Sequence, residues 1–271
     1  MAKSRFEYVR DFELPDPLLP SAYIVVRIDG RGFHKFSDTH TFEKPNDVRA
    51  LNLMDRAAKS VMDEYEDVVL AFGESDEYSF LIRRQSQLYN RRRSKINSSI
   101  VSLFTSSYVY HWPTYLPNTP LQYPPSFDSR VILYPSAKEV RDYFSWRQAD
   151  THINNLQNTC FWCLVKSGLS TKEANKTLQG TDSKAKNEML FSRFAINYNH
   201  IPPQFRKGST LVRSPPPDLD ENTSDVKPVL VPGDRKGKRR PYEGTTGEVI
   251  VVWEDIIGDR FWEDRPWLLP P

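Results

Sequence analysis

Apolar residues in the first part of the chain follow strand-like and helix-like patterns in turn. The β-branched run at 22–28 ends at an Asp-Gly pair, which predicts a buried strand that meets a turn. From 48 to 65 the apolar positions recur with a helical period, and Asn46 or Asp47 precedes them as N-cap. This pattern predicts a helix of about 18 residues.

Two short apolar runs, 68–72 and 78–82, flank a polar Gly-Glu-Ser-Asp-Glu sequence and predict a β-hairpin. Helical spacing predicts a second long helix over 87–110, and a further strand is predicted over 131–134. The order of strand, helix and hairpin makes a βαββ unit. We therefore expect an α+β fold, in which helices pack on one face of a mixed, mainly antiparallel sheet.

The second half of the chain has a different pattern. A Pro-rich stretch at 113–125 interrupts the earlier elements, so we place a boundary near residue 135, between a first domain at 1–135 and a mainly helical region at 136–271. Residues 209–247 combine prolines and mixed charges with few apolar residues, which is typical of a mobile loop. The other elements predicted here are helices over 151–167 and 183–194, a helix opened by a Ser170 to Glu173 capping box, and a strand over 248–253.

Composition narrows the class of protein. The 271 residues carry a formal net charge of +2 and contain two cysteines, Cys160 and Cys163, which is too few for a secreted disulfide scaffold and fits a reducing compartment. We predict that both cysteines are buried in a helix. The mean hydropathy is −0.60, and neither a membrane-spanning run nor a signal-peptide pattern is evident. We expect no membrane partner and a cytoplasmic location, with the nucleus as an additional compartment.

Two aspartates stand where predicted strand ends meet. Asp29 follows the first strand, and Asp76 lies in the hairpin beside Glu77. Each aspartate alone is explained as a turn residue. Together at one edge of a sheet, they are hard oxygen ligands for Mg²⁺ with a phosphate substrate, and two such ions can stabilise phosphoryl transfer. Polymerase and nucleotide cyclase palm domains are built in this way, so the fold class that we expect is a palm-like domain by analogy.

The segment after Asp29 reads Gly30-Arg31-Gly32-Phe33-His34. Two glycines around an arginine allow backbone N–H groups to approach a triphosphate and form an anion-binding concavity. The alternative interpretation is an ordinary glycine turn followed by a packed or capping histidine.

Basic residues are concentrated in two segments, outside which acidic residues outnumber basic ones. Unbalanced charge in the first segment indicates a phosphate-rich partner, although a solvated helix face is the alternative. The second segment, at 235–240, fits an RNA contact, a nuclear-localisation patch or plain solubilisation. The first segment contains Arg83, Arg84, Arg91, Arg92, Arg93 and Lys95.

Several of these segments together resemble a known family. The sequence Arg27-Ile28-Asp29-Gly30-Arg31-Gly32-Phe33-His34-Lys35-Phe36 and the hairpin sequence from Gly73 to Phe80 are similar to signatures of the eukaryotic-type tRNA-histidine guanylyltransferases. The resemblance covers nearly all of 1–208 and resumes at 254–259, while 209–247 matches no family motif. Further matching segments are 42–47, Arg92-Arg93-Ser94-Lys95-Ile96, His152-Ile153-Asn154-Asn155, Lys186-Asn187-Glu188 and Asn197-Tyr198-Asn199.

The resemblance implies a palm-domain reverse polymerase that adds nucleotides in the 3′ to 5′ direction. Such enzymes activate the 5′-monophosphate of tRNA-histidine with ATP, and the 3′-OH of GTP then attacks and releases AMP. Pyrophosphate is finally removed from the new 5′ end. The resemblance also implies two Mg²⁺ ions per active site, GTP and ATP as substrates, and a homotetramer.

Roles for individual residues follow from the same resemblance. Asp29, the Gly30 carbonyl and Asp76 would hold the two Mg²⁺ ions, with Glu77 as a third catalytic residue. The nucleotide-binding set is Asp29, Gly30, Arg31, Gly32, Phe33, His34, Lys44, Asp47, Ser75 and Asp76. The set for a second triphosphate or the tRNA is Arg27, Arg92, Lys95, Arg130, His152, Asn155, Lys186 and Asn197, and Lys44 fits there as well.

Other functions remain open on the residues alone. A carboxylate pair with a basic helix would also serve a nucleotide cyclase or another polymerase of the same fold. The nearest alternatives are template-dependent 3′ to 5′ repair of other tRNA 5′ ends and a noncatalytic tRNA-binding protein in which the acidic residues only form turns.

Overall fold

A six-stranded antiparallel sheet forms the centre of the computed structural model, which describes residues 4–215, 230–231 and 240–270. The strands are β1 (Tyr23–Gly30), β2 (Val68–Glu74), β3 (Glu77–Ile82), β4 (Phe127–Tyr134), β5 (Ser209–Arg213), β6 (Leu230–Val231), β7 (Arg240–Pro241) and β8 (Val249–Val252). The sheet order is β4-β1-β3-β2-β5-β8, and β6 and β7 pair separately. This arrangement confirms the α+β class.

Eight α-helices accompany these strands in the described ranges. They are α1 (Phe33–Thr39), α2 (Val48–Glu64), α3 (Arg93–Tyr115), α4 (Ala137–Lys166), α5 (Thr171–Leu178), α6 (Ser183–Phe194), α7 (Pro203–Lys207) and α8 (Arg260–Glu263). Short 3₁₀ segments lie at Glu7–Phe12, Leu88–Arg91 and Tyr198–His200. None of the helices in this part of the chain combines the length and apolar character needed to cross a bilayer.

Helix α2 confirms the first helical prediction. Asp47 is its N-cap, and the aspartate side chain accepts a hydrogen bond from the backbone N–H of Arg49. Its apolar face packs with α3 on one face of the sheet, where Ile24, Val26 and Ile28 of β1 are fully buried. Four of the side chains that set the helical period, Met54, Ala58, Val61 and Met62, are therefore part of the main core.

The helices before residue 135 pack on one face of the sheet, as predicted, and helices of the C-terminal half cover the opposite face. Tyr23 and Val25 point to this second face, where they pack with Val140 and Phe144 of α4 and with Trp262 of α8. Because alternate residues of a strand face opposite sides, the continuous apolar run of β1 is the pattern of a strand buried on both faces.

Two helix boundaries differ from their predictions. Residues 88–91 form a 3₁₀ segment in which Tyr89 and Asn90 have positive φ angles, so α3 begins at Arg93, and it continues through Pro113 to Tyr115. Helix α4 begins at Ala137, behind a Ser136 N-cap, well before the predicted start at 151. The buried positions of its first half include polar side chains, which give no apolar period.

The predicted loop over 209–247 is wrong at its start. Residues 209–213 form the buried strand β5, which pairs with β2 on one side and β8 on the other. The rest of that prediction falls largely on 216–229 and 232–239, outside the described residues, as do Arg235 to Arg239 of the second basic segment. Since β5 and β8 belong to the same sheet as β1, the sheet continues past residue 135, and the domain boundary there stays a prediction.

The smaller expectations for the C-terminal half are met with one exception. Ser170 and Glu173 form the capping box of α5, and α6 spans the predicted 183–194. Both cysteines lie in α4, as predicted, but the prediction that both are buried holds only for Cys160, because Cys163 is half-buried.

Candidate active site

The two aspartates meet at one edge of the sheet, as predicted. Strands β1 and β3 are antiparallel neighbours, and Asp29 lies opposite Glu77 in their register. The backbone N–H of Gly30 donates to the Asp76 carbonyl at 3.0 Å, which joins the end of β1 to the hairpin turn. Burial raises the pKa of Asp76, and the nearby charge of Asp29 raises it further.

The close approach of the end of β1 to the hairpin turn requires glycine at position 30. A Cβ atom there would lie 2.5 Å from the Phe33 ring and 2.9 Å from the Asp76 Cβ. The hairpin itself turns tightly, because Glu74 and Glu77 are paired and only Ser75 and Asp76 connect them. Ser75 has a φ of +50°, a left-handed conformation that suits such a turn.

The donor set at this edge fits Mg²⁺. Two neighbouring carboxylates and a backbone carbonyl are hard oxygen ligands, and Mg²⁺ in proteins commonly takes one or two carboxylates and completes its shell with water and phosphate oxygens. The mutual repulsion that raises the pKa of Asp76 is the kind that a divalent cation relieves. Within the described ranges, no group of three or more His, Cys, Asp or Glu side chains forms a metal cluster.

A cavity of about 420 Å³ opens beside Asp76. Its walls come from α1, from the connection between α1 and α2, from the hairpin turn and from α4. From the predicted nucleotide-binding set, the residues that line it are Phe33, His34, Lys44, Asp47, Ser75 and Asp76.

Several of these residues are held in place by neighbours. The Lys44 Nζ lies 2.7 Å from the Ser37 Oγ and 2.9 Å from an Asp38 carboxylate oxygen. The buried Asp47 carboxylate accepts the backbone N–H of Glu43 at 3.0 Å in addition to capping α2, so it fixes the 43–47 loop. Phe33 packs its ring against Phe36 and Phe127, while His34, Arg31 and Gly32 are exposed.

Glu77 faces α4 and does not line the cavity. Its carboxylate pairs with Arg27 and Arg147. Burial raises the pKa of Glu77, and this effect outweighs the two arginines, which lower it. Arg27 also lies 3.4 Å from Asp29. Arg130 stands opposite Arg27 in the register of β1 and β4, and its side chain is exposed.

The basic segment at 83–95 divides into structural and exposed residues. Arg91 is buried and donates to the carbonyls of Leu19 and Ala22, and Arg83 pairs with Asp67. Arg92, Arg93 and Lys95 are exposed at the start of α3, although Arg92 lies 3.6 Å from Asp16. The patch open to a phosphate partner is therefore smaller than the sequence suggests.

The His152 to Asn155 motif lies on α4. His152 is exposed, whereas Asn155 is buried, and its side chain is fully engaged. The Asn155 Nδ2 donates to the Tyr198 hydroxyl, and the Asn155 Oδ1 accepts from the Asn46 Nδ2, each at 2.9 Å. Asn197, next to Tyr198, is exposed and caps the 3₁₀ segment Tyr198–His200, while the half-buried Lys186 donates to the Thr181 carbonyl.

Comparisons with known proteins agree with this geometry. The family description "tRNAHis guanylyltransferase" matches residues 6–135, and "Thg1 C terminal domain" matches residues 138–258. The tRNA(His) guanylyltransferase of Schizosaccharomyces pombe is 49% identical over 99% of this chain and 98% of its own. The chain belongs to the tRNA(His) guanylyltransferase family. As a member of it, the protein is a nucleotidyltransferase.

Solved structures give the same assignment. The crystal structure of tRNA(His) guanylyltransferase from Saccharomyces cerevisiae matches with a TM-score of 0.74 and 50% identity, covering 77% of this chain and 93% of that one. A bacterial Thg1-like protein in complex with GTP has the same fold, with a TM-score of 0.63 and 20% identity over 98% of this chain and 96% of its own.

Sequence reasoning missed the far wall of the cavity. Asn158, Phe161 and Trp162 of α4 line it, more than a hundred residues from His34 along the chain. The aromatic pair between the two cysteines was the available signal, but a Cys-x-x-Cys helix segment indicates a buried core as readily. Only the packing of α4 over the cavity distinguishes the two.

Proposed function

We propose that this protein adds a single guanylate to the 5′ end of tRNA-histidine. ATP first transfers AMP to the tRNA 5′-monophosphate, with loss of pyrophosphate. The 3′-OH of GTP then attacks the activated phosphorus, so that a phosphodiester forms and AMP leaves. Removal of pyrophosphate from the added nucleotide completes the reaction. The observation that carries this proposal is the meeting of Asp29 and Asp76 beside a cavity of nucleotide size, in a member of this family.

The active-site residues divide the work. Asp29, the Gly30 carbonyl and Asp76 would hold two Mg²⁺ ions, which supply charge stabilisation to the attacking and leaving oxygens. The residues around the cavity, including Lys44, Asp47 and Ser75, bind and orient the nucleotide. The segment after Asp29 lies beside the phosphates of this nucleotide, and it contains Arg31, Gly32, Phe33 and His34. Orientation of the two reactants is itself a large part of phosphoryl-transfer catalysis.

The RNA lies along the exposed basic and polar groups in this proposal. Arg92, Lys95 and Arg130 contact the 5′ end or its triphosphate, together with the largely buried Arg27 of β1. His152, Lys186 and Asn197 form the second RNA-contacting group. Arg27 and Arg130 lie opposite each other on neighbouring strands. Asn155 bonds to Asn46 in the 43–47 loop and to the Tyr198 hydroxyl, which in turn contacts the His152 carbonyl.

A labelled-GTP assay tests the reaction. Purified protein is incubated with 5′-phosphorylated tRNA-histidine, ATP, Mg²⁺ and GTP labelled at the α-phosphate, and we expect label at the tRNA 5′ end. No label there contradicts the proposal. Comparable turnover on tRNAs without the histidine anticodon would instead favour template-dependent 5′-end repair.

Substitution of the two aspartates tests the assigned site. Asp29→Asn and Asp76→Asn should each lower guanylate addition by about a hundred-fold or more, because metal binding stabilises the transition state by several kcal/mol. Binding of tRNA should persist in both variants. Asp142→Asn is the matched control, since Asp142 is an exposed carboxylate on α4 that pairs only with Lys138 among the described contacts. Equal activity in all three variants would remove Asp29 and Asp76 from the reaction.

We also propose a homotetramer and a cytoplasmic and nuclear location. Light scattering should give about four times the 31.5 kDa chain mass. A monomer in solution would contradict the assembly without affecting the proposed reaction.

A further inference from the structure

One arginine of α4 is buried against the hairpin that carries Asp76. The Arg147 side chain is only 3% exposed. Its Nη1 lies 3.2 and 3.3 Å from the two Glu77 carboxylate oxygens and 3.5 Å from the Glu74 Oε1. Its Nη2 lies 3.3 Å from Asp150, one turn along α4. A single guanidinium therefore contacts three carboxylates.

The two glutamates occupy the ends of the turn. Glu74 is the last residue of β2, Glu77 is the first of β3, and the two are paired in register. Only Ser75 and Asp76 lie between them. Arg147 thus contacts both strand ends from which the turn projects. Without it, no cation would connect the two facing carboxyl groups at the base of this two-residue turn.

The same network reaches Asp29. Glu77 also pairs with Arg27, and Arg27 lies 3.4 Å from the Asp29 carboxylate. Two arginines and the Glu77 carboxylate between them therefore connect the hairpin turn to the end of β1. These contacts lie on the α4 face of the sheet, and neither Glu77 nor Arg147 lines the cavity.

Packing fixes the guanidinium itself. Its central carbon lies over the Trp146 ring, 3.5 Å from the ring centre, in a cation–π contact. The guanidinium holds its N–H donors in a fixed planar fork, whereas an ammonium group is a compact point charge on a flexible stem whose donors rotate. Arg147 is therefore held in one geometry by its neighbours, as a group that positions others should be.

We infer that Arg147 is a positioning residue: it holds the Ser75–Asp76 turn in the place where Asp76 and Asp29 can bind the same cation. The inference rests on the proposed function, because it assigns the two aspartates to metal. Arg147 touches neither substrate nor metal in this role. It acts through Glu74 and Glu77. Its loss should therefore weaken metal binding and leave tRNA binding unchanged.

The test uses Arg147→Lys, which keeps the charge and loses the planar fork. Binding of Mn²⁺, a spectroscopic substitute for Mg²⁺, is measured by electron paramagnetic resonance in the presence of GTP. We expect affinity about 10- to 100-fold weaker than in the wild type, the usual effect of removing a group that orients metal ligands. Guanylate addition should lose kcat by a similar factor, with KM for the tRNA unchanged.

Arg265→Lys is the matched control. Arg265 is also a largely buried arginine, pairs with Glu254 at 3.0 Å and lies 4.4 Å from the centre of the Phe261 ring, and none of its described contacts involves the hairpin turn or the two glutamates beside it. Its variant should bind Mn²⁺ as the wild type does. If both lysine variants lower only the melting temperature and leave Mn²⁺ affinity unchanged, the inference is wrong.

Trp146→Leu covers the case in which Arg147→Lys does not fold. Trp146 is 54% exposed, and its replacement removes the stacking surface without changing any charge. We expect a smaller loss of Mn²⁺ affinity in the same direction, and wild-type affinity would then overturn the inference. Failure of the proposed function looks different: the wild type would bind Mn²⁺ with GTP yet add no guanylate.

Discussion

The buried side chain of Asp55 connects four elements of the fold through hydrogen bonds. It lies on α2, and its carboxylate accepts hydrogen bonds from the Tyr78 hydroxyl at 2.9 Å, the Ser209 hydroxyl at 2.9 Å and the Gln204 Nε2 at 3.3 Å. These partners lie on β3, β5 and α7, so the contacts join the two halves of the chain. Burial nevertheless raises the pKa of Asp55 to about 6, even though the three donors favour its charged form.

The raised pKa of Asp55 predicts a pH-dependent stability. Because the folded pKa exceeds the unfolded one, folding favours the neutral form, and the contribution to stability falls as pH rises from about 4 through about 6. Asp55→Asn does not titrate. The free energy of unfolding of this variant should therefore improve relative to the wild type by up to about 3 kcal/mol between pH 4 and pH 7.

Urea unfolding of both proteins at several pH values in this range measures the effect. Asp142→Asn, which changes an exposed carboxylate, should show a difference from the wild type that varies little with pH. If the difference in unfolding free energy between Asp55→Asn and the wild type does not vary with pH, the pKa of Asp55 is the same in the folded and unfolded protein.

At the scale of elements, helix α4 does more than the sequence indicates. Over its 30 residues it covers the second face of the sheet, pairs Arg147 with the hairpin, and places Phe161 and Trp162 at the cavity. Between these points, Asn155 bonds to Asn46 in the loop that forms part of the cavity wall. The active site is therefore completed by a helix that begins after residue 135.

The Asn155 contact predicts a coupling between α4 and nucleotide binding. Asn155→Ala removes the hydrogen bond to the half-buried Asn46 amide and the bond to the Tyr198 hydroxyl, which keeps its contact with the His152 carbonyl. We expect KM for GTP to rise about five- to ten-fold at saturating tRNA, since a net hydrogen bond is worth about 1 kcal/mol.

A double-mutant cycle separates this coupling from a general loss of structure. Asn46→Ala should raise KM for GTP in the same way, and the double variant should add little to either single change, because both remove one hydrogen bond. Fully additive effects would mean that the two asparagines act independently.

For the whole molecule, the distribution of charge matters more than its sum. The net charge of +2 conceals exposed basic residues at the start of α3 and a network of carboxylates on the α4 face of the sheet. Three of the arginines in the 83–95 segment serve the fold: Arg83 pairs with acids, Arg84 donates to a backbone carbonyl and Arg91 is buried. The exposed Arg92, Arg93 and Lys95 remain as the surface for a polyanion.

This surface predicts a salt-dependent interaction with RNA. Lys95 lies over the Tyr89 ring at 4.6 Å and is otherwise exposed. If it contacts a phosphate, Lys95→Ala should weaken tRNA binding and reduce the slope of log affinity against log salt by about one. Binding measured over a series of salt concentrations tests this. Lys138 is an exposed lysine that pairs with Asp142, and the control variant Lys138→Ala should keep the wild-type slope. An unchanged slope for Lys95→Ala would mean that Lys95 is only a solvated surface residue.

Local patterns in the sequence were sufficient for three of the elements before residue 135. The strand at 22–28, the helix behind Asp47 and the hairpin at 68–82 all appear close to their predicted bounds. Each is defined by neighbours a few residues apart, through apolar period, cap and turn, and these are interactions that the sequence displays directly. The meeting of Asp29 and Asp76 followed from the order of those elements.

Non-local contacts decided the rest. Strand β5 carries polar residues at both ends and is stabilised by pairing with β2 and β8, which lie far from it in the chain. The first half of α4 buries Arg147 and Gln148, which contact residues of other elements, so its sequence shows little apolar period. A buried polar side chain is stable only when a partner satisfies it, and the sequence does not say which partner that is.

The sequence by itself determined the α+β class, the family resemblance and the carboxylates at the strand ends, because these depend on short segments of chain. The tertiary structure decided the second covered face of the sheet, the α4 wall of the cavity and the contact of Arg147 with both ends of the turn. Those features depend on how distant segments pack, since burial and charge pairing arise only when the chain has folded.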